Sequence, residues 1–199
     1  MIPGANHSPA VSFRPAGPDD VDAVVALVES AYRGDSSRAG WTTEADLLDG
    51  QRTDAGQVRA LLERPDSVVL LAETAGAIRG TCHLERTGPA TAYFGMFAVQ
   101  PDRQGAGIGR ALLARAARTA AGWGCAELRM TVIRQRADLI AWYGRMGFRP
   151  TGETEPFPYG DERFGRPRRD DLEFVVLAGP TGREEPSAAA VGAGPDGRP

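Results

Sequence analysis

Apolar positions along this chain follow two periods, and the alternation between them sketches the architecture. Val21, Val24, Val25, Val28 and Tyr32 fall on one face at helical spacing behind Asp19 or Asp20 and before Gly34, predicting a capped amphipathic helix. A second helical region follows in two pieces, around 43–48 and 53–62. Ile108, Leu112, Leu113, Ala116 and Ala120 predict a helix over about 107–121, with Arg110, Arg115 and Arg118 outward, and 136–146 gives a last helix. Short β-branched or apolar runs bounded by turn residues predict strands at 11–14, 68–73, 78–85, 91–99, 128–133, 148–153 and 172–177.

Three consecutive strands, then a strand-helix-strand crossover, imply an α/β fold with a mixed, mostly antiparallel central sheet of about seven strands. About four helices flank it, and only the middle pairing is parallel. One domain over residues 11–178 suits this length, between a flexible tail at 1–10 and a Gly-, Pro- and charge-rich tail at 179–199.

The most informative local feature is FAVQPDRQGAGIGRALL, residues 97–113, where a strand breaks at Pro101, passes a glycine-dense turn and opens onto a helix. Gly105, Gly107 and Gly109 let the backbone turn sharply and approach a ligand closely, so that successive amides can point at phosphate oxygens at a helix N-terminus. A dinucleotide fingerprint starting at Gly105 needs glycine where Arg110 stands, and Glu127 begins the next strand where an acid should end it. A Walker loop needs a lysine, and the chain has none.

Gln104, two residues, Gly107, one residue and Gly109, behind a strand ending Phe97, Ala98, Val99, resemble the acyl-CoA-binding motif of the GNAT acetyltransferase superfamily. A second stretch, RADLIAWYGRMGF at 136–148, is similar to that family's late helix, which carries a tyrosine and ends in a Gly-Phe step. The resemblance spans about 11–177 and implies the acyl-CoA N-acyltransferase fold, with acetyl-CoA as co-substrate. It implies that Phe97, Ala98 and Val99 meet the pantetheine arm and that Gln104, Gly105, Ala106, Gly107, Ile108, Gly109 and Arg110 hold the pyrophosphate. It also places Tyr143 beside the sulfur, and Arg136 stands where many relatives have an asparagine that anchors the cofactor.

Charge narrows the choice of partner. All 23 basic residues are arginines interspersed among acids, the net charge is −3, and no basic stripe supports nucleic-acid or membrane binding. The longest strongly apolar run, 68–72, is too short to span a bilayer, and the N-terminus shows no basic segment before an apolar one, so a cytoplasmic protein is expected. Cys82 and Cys125 with His7 and His83 do not assemble a metal site, and Cys82 reads as core.

An amine attacking a thioester must lose a proton, and the departing thiolate must gain one. Tyr143 is the candidate acid, while its neighbour Trp142 reads as core. No carboxylate lies between Arg86 and Pro101, so the candidate base is Glu85, with Glu44, Asp46 or ordered water as rivals. Two segments are candidates for acceptor recognition: residues 40–54, with Trp41, Glu44, Asp46, Asp49 and Arg52, and residues 156–171, with Phe157 and Tyr159. Their acids and aromatics suit a cationic amine. Three readings follow: an N-acetyltransferase acting on a small primary amine by direct transfer, a catalytically idle acyl-CoA sensor, and a protein or peptide acetyltransferase. A homodimer through an edge strand is compatible with all three.

Overall fold

The structure, a computed structural model, describes residues 10–182. The expected tails fall almost entirely outside them. Strands β1 (Ser12–Pro15), β3 (Ser67–Thr74), β4 (Ala77–Arg86), β5 (Thr91–Val99), β6 (Glu127–Ile133), β7 (Arg149–Pro156) and β9 (Glu173–Pro180) form one mixed seven-stranded sheet, ordered β1-β3-β4-β5-β6-β9-β7. Every pairing is antiparallel except β5 with β6. The last strand runs beyond the expected boundary at 178, and Thr181 pins its end by donating to the Cys125 carbonyl at 2.7 Å.

Five α-helices accompany the sheet: α1 (Val21–Tyr32), the single turn α2 (Gly34–Ser37), α3 (Ala55–Glu63), α4 (Ile108–Gly122) and α5 (Ala137–Arg145). Helices α4 and α5 cover one face, where Leu112, Ala116, Leu139 and Tyr143 pack with Cys82, Leu84, Phe94 and Leu128. Helices α1 and α3 cover the other, with Val24, Val28 and Val58 against Val69, Leu71 and Ala98. The α1 stripe is the one the valine spacing predicts. Its capping differs: the Asp20 carboxylate takes no bond from the helix and instead receives the Arg14 guanidinium at 2.7 and 2.8 Å and the Gly17 amide at 2.8 Å.

Residues 43–48 are not helical. The Thr43 hydroxyl accepts from the Ala45 amide at 3.0 Å, a local bond that competes with helix formation, and the segment ends in the short strand β2 (Leu48–Asp49). This pairs with β8 (Arg166–Pro167), while Leu48 joins Ile133, Phe157 and Leu172 in a small apolar cluster. The two loops singled out for acceptor recognition are thereby tied together.

Two irregularities in β5 open the sheet. Its pairing with β6 extends only from Thr91–Glu127 to Tyr93–Arg129, after which the strands part. Between the pairs Thr81–Ala98 and His83–Gly95, β5 also carries one residue more than β4, and Met96 takes a left-handed φ of +44° at this bulge. A bulge leaves ladder groups unpaired and reverses the side-chain alternation, so Phe97 joins Phe94 on the α4 side.

Candidate active site

Two cavities flank β5 and share Tyr32, Phe97, Arg136 and Leu139 in their walls. The smaller, about 460 Å³, is bounded by the glycine loop, the end of β5, Trp41 and Trp142. The larger, about 690 Å³, occupies the gap between the parted halves of β5 and β6 and is roofed by Phe157 and Phe164.

The loop has the geometry its glycines predict. Gly105 and Gly107 have φ of +83° and +85°, in the region that residues with a Cβ avoid, and Gly107 is the N-cap of α4. No side chain of a described residue caps this helix, so the donors of its first turn and its dipole remain available to an anion. Gly109 serves differently: a Cβ there would lie 3.2 Å from Phe97 Cζ, so its absence lets α4 close on β5.

Of the residues assigned to the cofactor, Phe97, Ala98, Val99, Gln104, Gly105, Gly107, Gly109 and Arg110 line the smaller cavity. Ala106 does not, and the Ile108 side chain is buried in the core beneath α4. Gln104 works as a staple, accepting from the Trp41 amide at 3.0 Å and donating to the Val99 carbonyl at 3.2 Å. Trp142, read from the sequence as core, is half-buried against the α4-side core and also lines this cavity, between Phe97, stacked at 5.9 Å, and Trp41 at 6.4 Å.

Tyr143 is buried to 4% exposure and packed edge-on between Trp142 and Phe148. Its hydroxyl makes no hydrogen bond with any described residue, while the residue lines the larger cavity. Burial pushes its pKa well above the usual phenol value, so it stays protonated at neutral pH.

The four remaining acids and aromatics occupy quite different settings. Glu85 lines neither cavity; its carboxylate is held by Arg64 at 3.0 Å, next to His83. Glu44 lines the larger cavity but is 5% exposed, with one oxygen 2.7 Å from Arg136 and the other 2.8 Å from Arg33. Burial alone would raise its pKa, but the charges of Arg136, Arg52 and Arg33 outweigh it and hold the carboxyl below its ordinary value. Phe157 lines the larger cavity from its apolar cluster, whereas Tyr159 lies away from both cavities, its hydroxyl accepting from the Leu172 amide at 2.6 Å. Arg136 is committed to Glu44 and to Thr42 Oγ1, the latter at 2.8 Å. Both cysteines are buried and line neither cavity, and burial raises the Cys82 thiol pKa.

Tyr32 escapes a reading of apolar periodicity, because its place on the α1 stripe marks it as core. Its hydroxyl instead donates to the Phe97 carbonyl at 2.5 Å, joining α1 to the bulged strand where the cavities share a wall.

The model of the acetyltransferase (GNAT) family matches residues 26–148. No curated protein matches the sequence. Among solved structures, the ribosomal-protein-S18-alanine N-acetyltransferase from Escherichia coli is similar at 17% identity and TM-score 0.65, over 89% of this chain and 98% of that one. Nourseothricin acetyltransferase is similar at 21% identity and TM-score 0.63, over 87% and 99%. Ard1 from Thermoplasma volcanium matches at 19% identity and TM-score 0.64, over 86% and 97%. At these identities the likeness is one of fold.

Proposed function

The chain belongs to the acetyltransferase (GNAT) family, and we propose that it moves an acetyl group from acetyl-CoA to the primary amine of a small molecule, with both substrates bound together. The observation that carries this reading is Tyr143, protonated, with its hydroxyl unpartnered among the described residues, in the wall of the larger cavity, which shares Tyr32, Phe97, Arg136 and Leu139 with the glycine-loop cavity.

Fit to the donor rests on the smaller cavity. The uncapped first turn of α4 and the left-handed Gly105 and Gly107 present amides to a diphosphate, and Trp41, Trp142 and Phe97 offer an apolar channel beyond it. Acetyl-CoA supplies an acyl carbon activated as a thioester. The unpaired main chain at the Met96 bulge offers N–H groups to negative charge developing on the acyl oxygen. The amine nitrogen bonds to the acyl carbon as the carbon–sulfur bond breaks. Tyr143 protonates the departing sulfur, the proton leaving the nitrogen goes to water, and the phenolate takes a proton back from water to restore the phenol.

No covalent acyl-enzyme is invoked, because neither cysteine reaches a cavity. A volume of about 690 Å³ is in the range of small-molecule sites, which favours a small acceptor over a long peptide. The test is release of free thiol from acetyl-CoA with a panel of small amines and peptides. Turnover of small amines supports the reading; binding of acetyl-CoA without turnover on any amine points to the idle sensor.

A further inference from the structure

Arg52 differs from the other arginines of the larger cavity. Arg136 gives its terminal nitrogens to Glu44 and Thr42, and Arg129 donates to Glu153 at 2.5 Å. The Arg52 guanidinium donates to no described residue, and its closest carboxylate oxygen, Glu44 Oε2, is 4.0 Å away and already receives Arg33. The group is nevertheless firmly placed. The amides of Arg52 and Thr53 both donate to Glu29 Oε1, at 2.6 and 2.8 Å, fixing the backbone, and the guanidinium lies over the Tyr32 ring at 5.2 Å from its centroid.

Charge is locally positive around Glu44. Arg33, Arg52 and Arg136 surround this one carboxylate, while Glu153 and Glu155, the other acids lining the cavity, stand with Arg129. Both Glu44 oxygens are engaged, so the acid that the sequence offers to a cationic acceptor is already neutralised. Tyr32, whose ring carries the Arg52 guanidinium on its face and whose hydroxyl donates to the Phe97 carbonyl, belongs to the wall common to the two cavities, so the unspent guanidinium stands beside that wall.

Building on the acetyltransferase reading above, we propose that the acceptor is a small amine that also carries an oxyanion, foremost a carboxylate, and that Arg52 is the specificity residue that receives it. A planar guanidinium with free parallel donors matches a carboxylate bidentately, and a fixed backbone lowers the entropic cost of that contact. A free amino acid is the simplest molecule of this description. Peptide N-termini and polyamines lack a carboxylate beside the amine.

The test compares thiol release from acetyl-CoA with free amino acids, their carboxamides and the matching aminophosphonates, using the whole protein and its Arg52→Ala and Arg52→Lys variants. Expected is a preference of about 10- to 100-fold in kcat/KM for the acid over its amide, expressed mainly in KM. That ratio should collapse toward one in Arg52→Ala and recover partly in Arg52→Lys. Phosphonates turning over in place of carboxylates keep the Arg52 assignment and change the anion. Amides or polyamines turning over as well as the acids overturn the inference while leaving acetyl transfer standing, as does an acid-to-amide ratio unchanged by Arg52→Ala. Acetyl-CoA binding with no amine of any series turned over removes the transferase reading and this inference together. The comparison of acid with amide on the unaltered protein needs no variant to fold.

Discussion

Glu44 and Arg136, 92 residues apart in sequence, meet at 2.7 Å in a pair whose side chains are 7% and 9% exposed. The pair fastens the loop after α2 to the start of α5, and Arg33 closes on the other carboxylate oxygen. Removing one member of such a buried cluster leaves the opposite charges desolvated and uncompensated. Glu44→Gln should therefore lower stability by about 3–5 kcal/mol, read as a shifted midpoint in chemical denaturation at constant slope.

Acid should weaken the fold by the same interactions. Asp20, hydrogen-bonded by Arg14, has its pKa lowered from 3.8 to about 2, and Glu44 is also held below its ordinary value. Groups with depressed native pKa contribute stability above their unfolded values, and the contribution is lost as pH falls through the native ones. Denaturation midpoints should hold steady near neutrality and drop as the pH falls from about 4 toward about 2. Asp20→Asn should start less stable at pH 7 and lose less on acidification.

Tyr143→Phe preserves the aromatic packing and removes only the hydroxyl. We expect kcat to fall about 10²-fold, the lower range for a positioned acid, with acetyl-CoA affinity unchanged. Steady-state kinetics beside a binding isotherm checks both parts, and an unaltered kcat would take the phenol out of the mechanism.

Deprotonation of the acceptor leaves its own signature. Glu44, the buried carboxylate of the larger cavity, has a lowered pKa and is a poor base. The rise of kcat/KM with pH should therefore follow the pKa of the amine, moving when the amine is changed. A single inflection common to every acceptor would point to an enzyme base instead.

Gly107→Ala should cost about 1–2 kcal/mol in the loop, because its φ of +85° is left-handed. Acetyl-CoA affinity should drop about tenfold in consequence, as measured by thermal shift with increasing ligand.

What the sequence makes legible follows from how local each cause is. The glycine loop can be read because positive φ and an open helix start are properties of adjacent residues. The sheet and the α1, α4 and α5 faces can be read because burial imposes a period. Segment 43–48 misleads because its apolar spacing fits a helix while the Thr43 turn and the pull of distant arginines on Glu44 decide its shape. Tyr32 and Trp142 are legible only in part: helical spacing gives their buried sides, and only the tertiary packing beside β5 brings Tyr32 to both cavities and Trp142 to the smaller one. Arg52 belongs to a segment that the sequence offers only as a candidate for acceptor recognition, and its free guanidinium depends on partners that Arg33 and Arg136 have already taken.

The central claim, that the main chain at the start of α4 grips the donor, is tested most directly by calorimetric titration of acetyl-CoA into the intact protein and into Gly107→Glu. The account predicts a one-to-one binding heat for the first and none for the folded variant, whose added carboxylate repels the diphosphate. No heat with correctly folded unaltered protein, or the same isotherm for both, would contradict it.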